Sequence, residues 1–397
     1  MSDLVVRLYN VGFGDAVLVT IPERSGRRTV ERNLLIDVGQ VPAGPGGEDA
    51  LLTTVVRDIA RRTGGTVDLY VMTHEHLDHA QGLLAAKRND QVDLKARYAW
   101  LTQSAHPDYY QQFPGAAKKL EEARLAYLDG YARFGDDDAA PLGVQLMLAN
   151  NGILLKAGGG LKTADYVDHL RTIAPARRTH YVSRATKALA SKHPFTEATI
   201  TILAPEEDTS RYYGRYKPPQ LLDTAATTIG AAPPATIDPK LTAVPPVGVD
   251  AGAFFDLIAA RDQNIVGGLA QIDKAANNTS LVLQVEWRGW RLLFPGDAEE
   301  RSWRTMHDLG LLTDVHFVKI SHHGSVNGTD TDVFAAALLP DKGTRARPRV
   351  AAVSTHDDQW ESVPDGDTLA FFTERCAELY DTRTVPDGEA VEIRFPG

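Results

Sequence analysis

Three histidines and an aspartate fall within six consecutive positions, His74, His76, Asp78 and His79, directly after the apolar run Leu69-Tyr70-Val71-Met72. Imidazole nitrogen and carboxylate oxygen are ligands that suit zinc, iron and manganese, and a tight turn at the end of a buried strand aims all four at one pocket. His74 and His76, two residues apart, leave an extended segment on the same side. Asp78 and His79 stand where the chain bends into Ala80-Gln81-Gly82-Leu83-Leu84, within reach of a second ion. The chemistry such a cluster offers is two-metal hydrolysis. A histidine-rich surface turn is the plainer alternative, and the density of ligand types weighs against it.

A second carboxylate of the same kind lies far downstream. The apolar segment Arg291-Leu292-Leu293-Phe294 runs into Pro295-Gly296-Asp297, where glycine lets the backbone approach closely and Asp297 points off the strand end, a place for a carboxylate shared by two ions. Shortly after it, the strand-like Val315 to Ile320 ends in Ser321-His322-His323-Gly324-Ser325.

The elements that must position these groups are legible from periodicity. Leu4 to Ile21 reads as a strand pair joined by Asn10-Val11-Gly12-Phe13-Gly14-Asp15, with Asn33 to Gly39 as a further buried strand. Apolar residues at 51, 52, 55, 56 and 59 mark an amphipathic helix. Val67 to Met72 is the strand that delivers the histidine cluster. Asn277 to Val285, the turn Arg288-Gly289, Val350 to Ser354, a helix from Asp367 to Leu379 and the strand Ala390 to Phe395 complete the second half. Asp15 and Asp37 fit either turn capping or the orientation of metal ligands.

The pattern H-x-H-x-D-H after a hydrophobic strand resembles the metallo-β-lactamase superfamily. Within it, Val11-Gly12-Phe13-Gly14-Asp15-Ala16, Leu35-Ile36-Asp37-Val38-Gly39, Asn277-Asn278-Thr279-Ser280-Leu281-Val282-Leu283, Gly296-Asp297-Ala298-Glu299 and Ser321-His322-His323-Gly324-Ser325 are similar to a ComEC-like competence metallohydrolase domain, standing alone without the membrane channel. The likeness spans roughly 1–85 and 277–397. It departs from that branch at Phe13, usually glutamine, and at Val363, often histidine.

The resemblance implies an α/β fold, an αββα metallo-β-lactamase sandwich with a large, partly helical insertion. It implies two divalent metal ions, zinc first and manganese second. His74 and His76 would bind one, Asp78 and His79 the other, Asp297 would bridge, and His322 would close the second site, with His323 as its partner or as an acid. Asp78, Asp297 and His323 are thereby the candidate catalytic residues. The third ligand of the first ion is usually a histidine where this chain has Asn277-Asn278; His106, His169, His180 and His193 are the remaining candidates.

The implied function is hydrolysis by a metal-activated hydroxide, first of a phosphodiester, as in a nuclease or phosphodiesterase. A small ester, lactone or nucleotide is the second candidate, and a non-catalytic binding module on the same fold the third. A net charge of −10 excludes nucleic-acid binding through a broad basic surface, since phosphate neutralisation supplies most non-specific affinity. No run approaches the length of a membrane span, and the N-terminus lacks the basic start and apolar core of a secretory signal, so the expected location is the cytoplasm without membrane contact. The single Cys376 excludes an intramolecular disulfide. Its helical spacing with Phe372 and Leu379 suits a buried thiol.

One domain is expected over 1–397, with a helical insertion at 104–195 and a Pro/Gly-rich insertion or lid at 206–276. Within these, a helix over Gly115 to Gly130, another over Ala164 to Ile173 and the weakly structured Pro218 to Val249 are anticipated.

Overall fold

The computed structural model describes residues 2–40, 48–118, 163–188, 191–212, 276–356 and 363–397. The chain divides into two compact units, the first comprising Met1–Tyr109, Leu161–Thr209 and Ala276–Gly397, the second Tyr110–Gly160 and Ser210–Ala275. Most of the second unit, with Pro218 to Val249 and most of the helix expected over Gly115 to Gly130, lies outside the described residues.

The first unit is built on two sheets. One has seven strands: β1 (Leu4–Tyr9), β2 (Ala16–Ser25), β3 (Arg28–Val38), β4 (Thr66–Met72), β5 (Lys95–Thr102), β6 (Thr179–Val182) and, added beside β1, the C-terminal strand Ala390–Phe395. The other has six: β7 (Thr199–Ala204), β8 (Val282–Trp287), β9 (Trp290–Phe294), β10 (Phe317–Lys319), β11 (Val350–Val353) and β12 (Glu378–Asp381). Strands β3 to β6 run parallel, as do β9 to β12, while the strands that open each sheet pair antiparallel. Functional loops of parallel strands collect at their carboxyl ends, so the segments after β3, β4, β9 and β10 are the ones to carry chemistry.

Burial explains why the sheets stack. Alternate residues of the two sheets, among them Val6, Val19, Ile36 and Val71 from the first and Leu283, Leu292, Phe294 and Phe317 from the second, form one core between them. The opposite face of the first sheet, with Leu18, Leu35, Tyr70 and Met72, is covered by Leu52, Val55, Val56 and Ile59 of α1 (Glu48–Thr63). Leu83 and Ala86 of α3 (Gly82–Asp90), which follows the single turn α2 (Leu77–Ala80), complete that cover. Beyond the second sheet, Trp303 and Met306 of α5 (Glu300–Asp308) and Phe372 of α6 (Gly366–Arg375) pack on Leu293, Val318 and Ala351. The layers are helix, sheet, sheet, helix, the αββα sandwich implied by the sequence.

Of the stretch 104–195 read as a helical insertion, Leu161 onward groups with the first unit. Helix α4 (Thr163–Leu170) places Val167 and Leu170 in the core beneath the first sheet, and β6 is that sheet's edge strand, in register with β5 from Ala99↔Thr179 to Thr102↔Val182. The first unit is therefore left near residue 110 and re-entered at 161. Cys376 is buried with the second sheet's helices, and burial pushes its thiol up to about 12, as a packing residue requires. Among the described residues no helix is long and apolar enough to cross a membrane.

Candidate metal centre

The histidine cluster leaves β4 through Thr73 and is held by Asp37 at the end of β3. The Asp37 carboxylate accepts from Thr73 N at 2.8 Å, from Thr73 Oγ1 at 2.6 Å and from His79 Nδ1 at 2.8 Å. These bonds accompany a left-handed backbone at Asp37, φ 52°, a conformation that a short polar side chain with local partners tolerates. Gly39 is required by close approach, since a Cβ there would run into the backbone of Asp78 and His79. Asp15 N donates to Asp78 O at 3.0 Å and Gly39 N to Asp15 O at 2.9 Å, so the Asp15 turn is bonded both to the one-turn helix bearing Asp78 and His79 and to the turn after β3.

From the opposite sheet, the segment after β9 brings Asp297. Gly296 has φ 58° and lies against Thr73, while Asp297 N donates to Ser280 Oγ at 3.1 Å. The segment after β10 brings His323, whose Nδ1 donates to Ser354 O at 3.0 Å. Ligand atoms of Asp78, His79, Asp297 and His323 all lie within 4.8 Å of one another, and all four residues are buried.

The orientation of these rings is fixed from behind. His79 gives Nδ1 to Asp37 and His323 gives Nδ1 to Ser354 O, so Nε2 of each faces the shared carboxylates: His79 Nε2 is 3.1 Å and His323 Nε2 3.5 Å from Asp297 Oδ2. Neither Nε2 has an aligned hydrogen-bond partner, nor do His74 Nε2, Asp78 Oδ1 and Asp297 Oδ1. Buried polar atoms without partners are rare, and here they converge. Rings anchored through Nδ1 by a carboxylate or a carbonyl, with Nε2 turned inward, are the arrangement that metal-binding histidines use. The donor set of buried imidazoles and carboxylates fits a divalent metal ion.

Electrostatics point the same way. Burial pushes the His74 imidazole well below its usual range, helped by the neighbouring His79 and His76, which leaves a neutral ring with a lone pair to give. The His74 ring lies 4.2 Å from that of His79, tilted, and 4.5 Å from that of His76, edge-on, centre to centre, and its Nδ1 lies 3.3 Å from Ser280 Oγ. Burial opposes charge on the remaining four groups, yet they resolve it as two ion pairs. In the metal-free protein Asp297 and Asp78 raise His79 well above the ordinary imidazole range, and Asp297 carries His323 to about 9. The same imidazolium charges outweigh burial at Asp78 and Asp297 and hold both carboxyls below their usual range. Two imidazolium protons thus stand where cations are wanted.

His322 was expected as the closing ligand; the residue that joins the buried group is its neighbour His323. Both residues have left-handed backbone, φ 48° and 54°, which splays the adjacent rings 6.3 Å apart. His322 turns out of the group: its Nδ1 lies 3.1 Å from Asn327 Oδ1 and 3.6 Å from Glu299 Oε1, and its Nε2 lies 3.4 Å from Asn277 Nδ2. Phe13 packs its ring 4.3 Å from that of His323. His323→Ala is expected to weaken zinc binding by at least about a hundredfold, whereas His322→Ala stays within a few-fold of wild type, as chelator competition will measure.

The candidates for a further first-site ligand stay apart. His106 packs on Tyr181 at 4.6 Å, His193 on Trp100 at 5.8 Å, His180 lies in β6 and His169 in α4, and none belongs to a metal-binding group among the described residues. Sequence reasoning missed Lys319. It is buried at the end of β10, its Nζ 2.5 Å from Asp15 Oδ2. The available signal was a lone cation within the apolar run Val315 to Ile320.

No protein-family model and no curated protein matches the chain. Among solved structures it is similar to the metallo-beta-lactamase fold protein YhfI from Bacillus subtilis, with 9% identity and a TM-score of 0.38, covering 99% of this chain and 100% of that one.

Proposed function

We propose that the chain is a metal-dependent hydrolase, with His74, His76, Asp78, His79, Asp297 and His323 holding two divalent ions, zinc before manganese, and with a phosphodiester as substrate. The observation that carries the hydrolase reading is the convergence of four buried ligand residues from both sheets, their ring nitrogens anchored so that the others face inward. When bound, the ions supply an acidified water and neutralise charge on the attacked group. The rest falls to the chain. Asp37 and Ser354 O keep the ligating nitrogens of His79 and His323 free of protons once the imidazolium charge is displaced, by holding the remaining N–H on Nδ1. Asp78, with Oδ1 buried and without a hydrogen-bond partner, would accept a hydrogen bond from the attacking water and orient it. Asp297 Oδ2, facing both His79 and His323, holds the two halves of the centre in one geometry.

The phosphodiester reading rests on the resemblance of five sequence elements to a nucleic-acid-processing branch, and fold alone does not fix substrate. A small ester or lactone is the second reading, favoured by the net charge of −10, which suits a small neutral substrate better than a long polyanion. Metal-loaded protein is to be assayed on single-stranded DNA, RNA, cyclic nucleotides, bis(p-nitrophenyl) phosphate and a lactone series. Cleavage of a phosphodiester that a chelator abolishes and zinc or manganese restores is the expected result. Lactone opening without any phosphodiester cleavage would overturn the substrate.

A further inference from the structure

The buried carboxylates of the centre belong to two groups that share His79. One is Asp78, His79, Asp297 and His323; the other is Asp15, Asp37 and His79. By residue type alone either group takes a divalent cation. What distinguishes them is Lys319, the one lysine among the described residues that is buried, at 2% exposure. Strand alternation puts it there: Phe317 faces the core between the sheets and Val318 the helices, so Lys319 points back between the sheets at their functional edge. Its Nζ is 2.5 Å from Asp15 Oδ2 and 4.0 Å from Asp297 Oδ1. An ammonium group is taken out of water at such a position only when carboxylates face it.

We propose that Lys319 is a built-in cation of the metal centre, which occupies the Asp15–Asp37–His79 group electrostatically, confines divalent ions to the other group and positions Asp297. This rests on the metal-binding reading given above. The other contacts of the second group fit the assignment. Asp37 spends its oxygens on Thr73 and His79, and His79 spends Nδ1 on Asp37, which leaves Asp15 as the group's open carboxylate, and Lys319 holds it. Because Asp15 is bonded through its backbone to Asp78 and Gly39, the ion pair ties the first sheet's loops to β10 of the second. Asp297 then turns Oδ1 toward the ammonium and Oδ2 toward His79 and His323. Lys319 is thereby a positioning residue and touches no reacting atom.

The test counts ions. Chelator-stripped wild type, Lys319→Met and the double variant Lys319→Met/Asp15→Asn are reloaded with zinc, and metal per chain is measured together with the absorption spectrum of the cobalt form. Lys319→Met is expected to take up one more divalent ion per chain than wild type. The double variant is expected to return to the wild-type number, because it removes the carboxylate that the extra ion needs. In Asp15→Asn alone, the ammonium loses its partner while still facing Asp297, so zinc affinity falls about tenfold or more and the cobalt spectrum shifts. A folded Lys319→Met protein with unchanged stoichiometry overturns the proposal. Should that variant fail to fold, unchanged zinc affinity in Asp15→Asn overturns it equally. A wild-type chain that binds no divalent ion removes the metal centre itself along with the proposal, and the two failures are told apart by that first measurement.

Discussion

Asp297→Ala is expected to fold and yet to lose hydrolytic turnover by roughly three orders of magnitude, a loss of the size seen when a central electrostatic group is removed. Asp297 Oδ2 faces His79 and His323 at 3.1 and 3.5 Å, against 4.0 and 3.5 Å for Asp78 Oδ2, and its other oxygen faces Lys319. Its removal takes away the second sheet's carboxylate and leaves Asp78 as the one facing both rings, because Asp37 is bound to Thr73 and His79 and Asp15 to Lys319. The fold survives because the sheets are held by the apolar core between them, although His79, His323 and Lys319 lose a shared counter-charge and the metal-free variant is less stable than wild type. Metal analysis and steady-state rates on the purified variant check this. Wild-type metal content together with a wild-type rate would sink the two-metal mechanism.

The second large effect is on pH, with opposite signs for the metal-free and metal-loaded protein. In the metal-free chain His323 is raised to about 9, above the unfolded imidazole value of about 6.5. A raised folded value contributes stability that is fully present below about pH 6.5 and is lost as pH rises through about 9, on the order of 3 kcal/mol. His79 is raised by the same carboxylates and acts in the same direction. Asp78 and Asp297 are depressed, so their contribution is present above the unfolded carboxylate value of about 4 and is lost as pH falls toward the folded values. The metal-free protein is therefore expected to be most stable between roughly pH 4 and 6.5 and to weaken toward pH 9. Metal binding must displace the imidazolium protons, so zinc affinity rises over the same interval and the loaded protein gains relative to the stripped one. Denaturant unfolding of both forms at about pH 6, 7.5 and 9 measures the divergence. Parallel profiles would show that His79 and His323 do not exchange protons for metal.

Where the information was local, it was legible. His74, His76, Asp78 and His79 sit within one turn of chain, so their convergence needed only a strand end and a bend. Asp297 was readable because Gly296 before it marks a tight approach. His322 and His323 were not separable, since adjacent histidines differ only in where the backbone aims them, and the left-handed conformation of both sends one ring to Asn327 and the other to Ser354 O. β6 and α4 were obscured for another reason. A four-residue edge strand with three half-buried residues carries too little alternation to stand out from its surroundings, and only its pairing with β5 makes it a strand.

The sequence by itself determined the ligand chemistry and the strands that deliver it, because hydrophobic periodicity and clustered ligand residues are properties of short segments, while the αββα layering was implied by the resemblance those motifs carry. Only the tertiary structure decided which of the adjacent histidines joins the buried group, which nitrogen of each ring faces inward, and that Lys319 stands between Asp15 and Asp297. Those outcomes depend on groups more than two hundred residues apart meeting in a buried, low-dielectric space, where a few ångströms determine which charges pair.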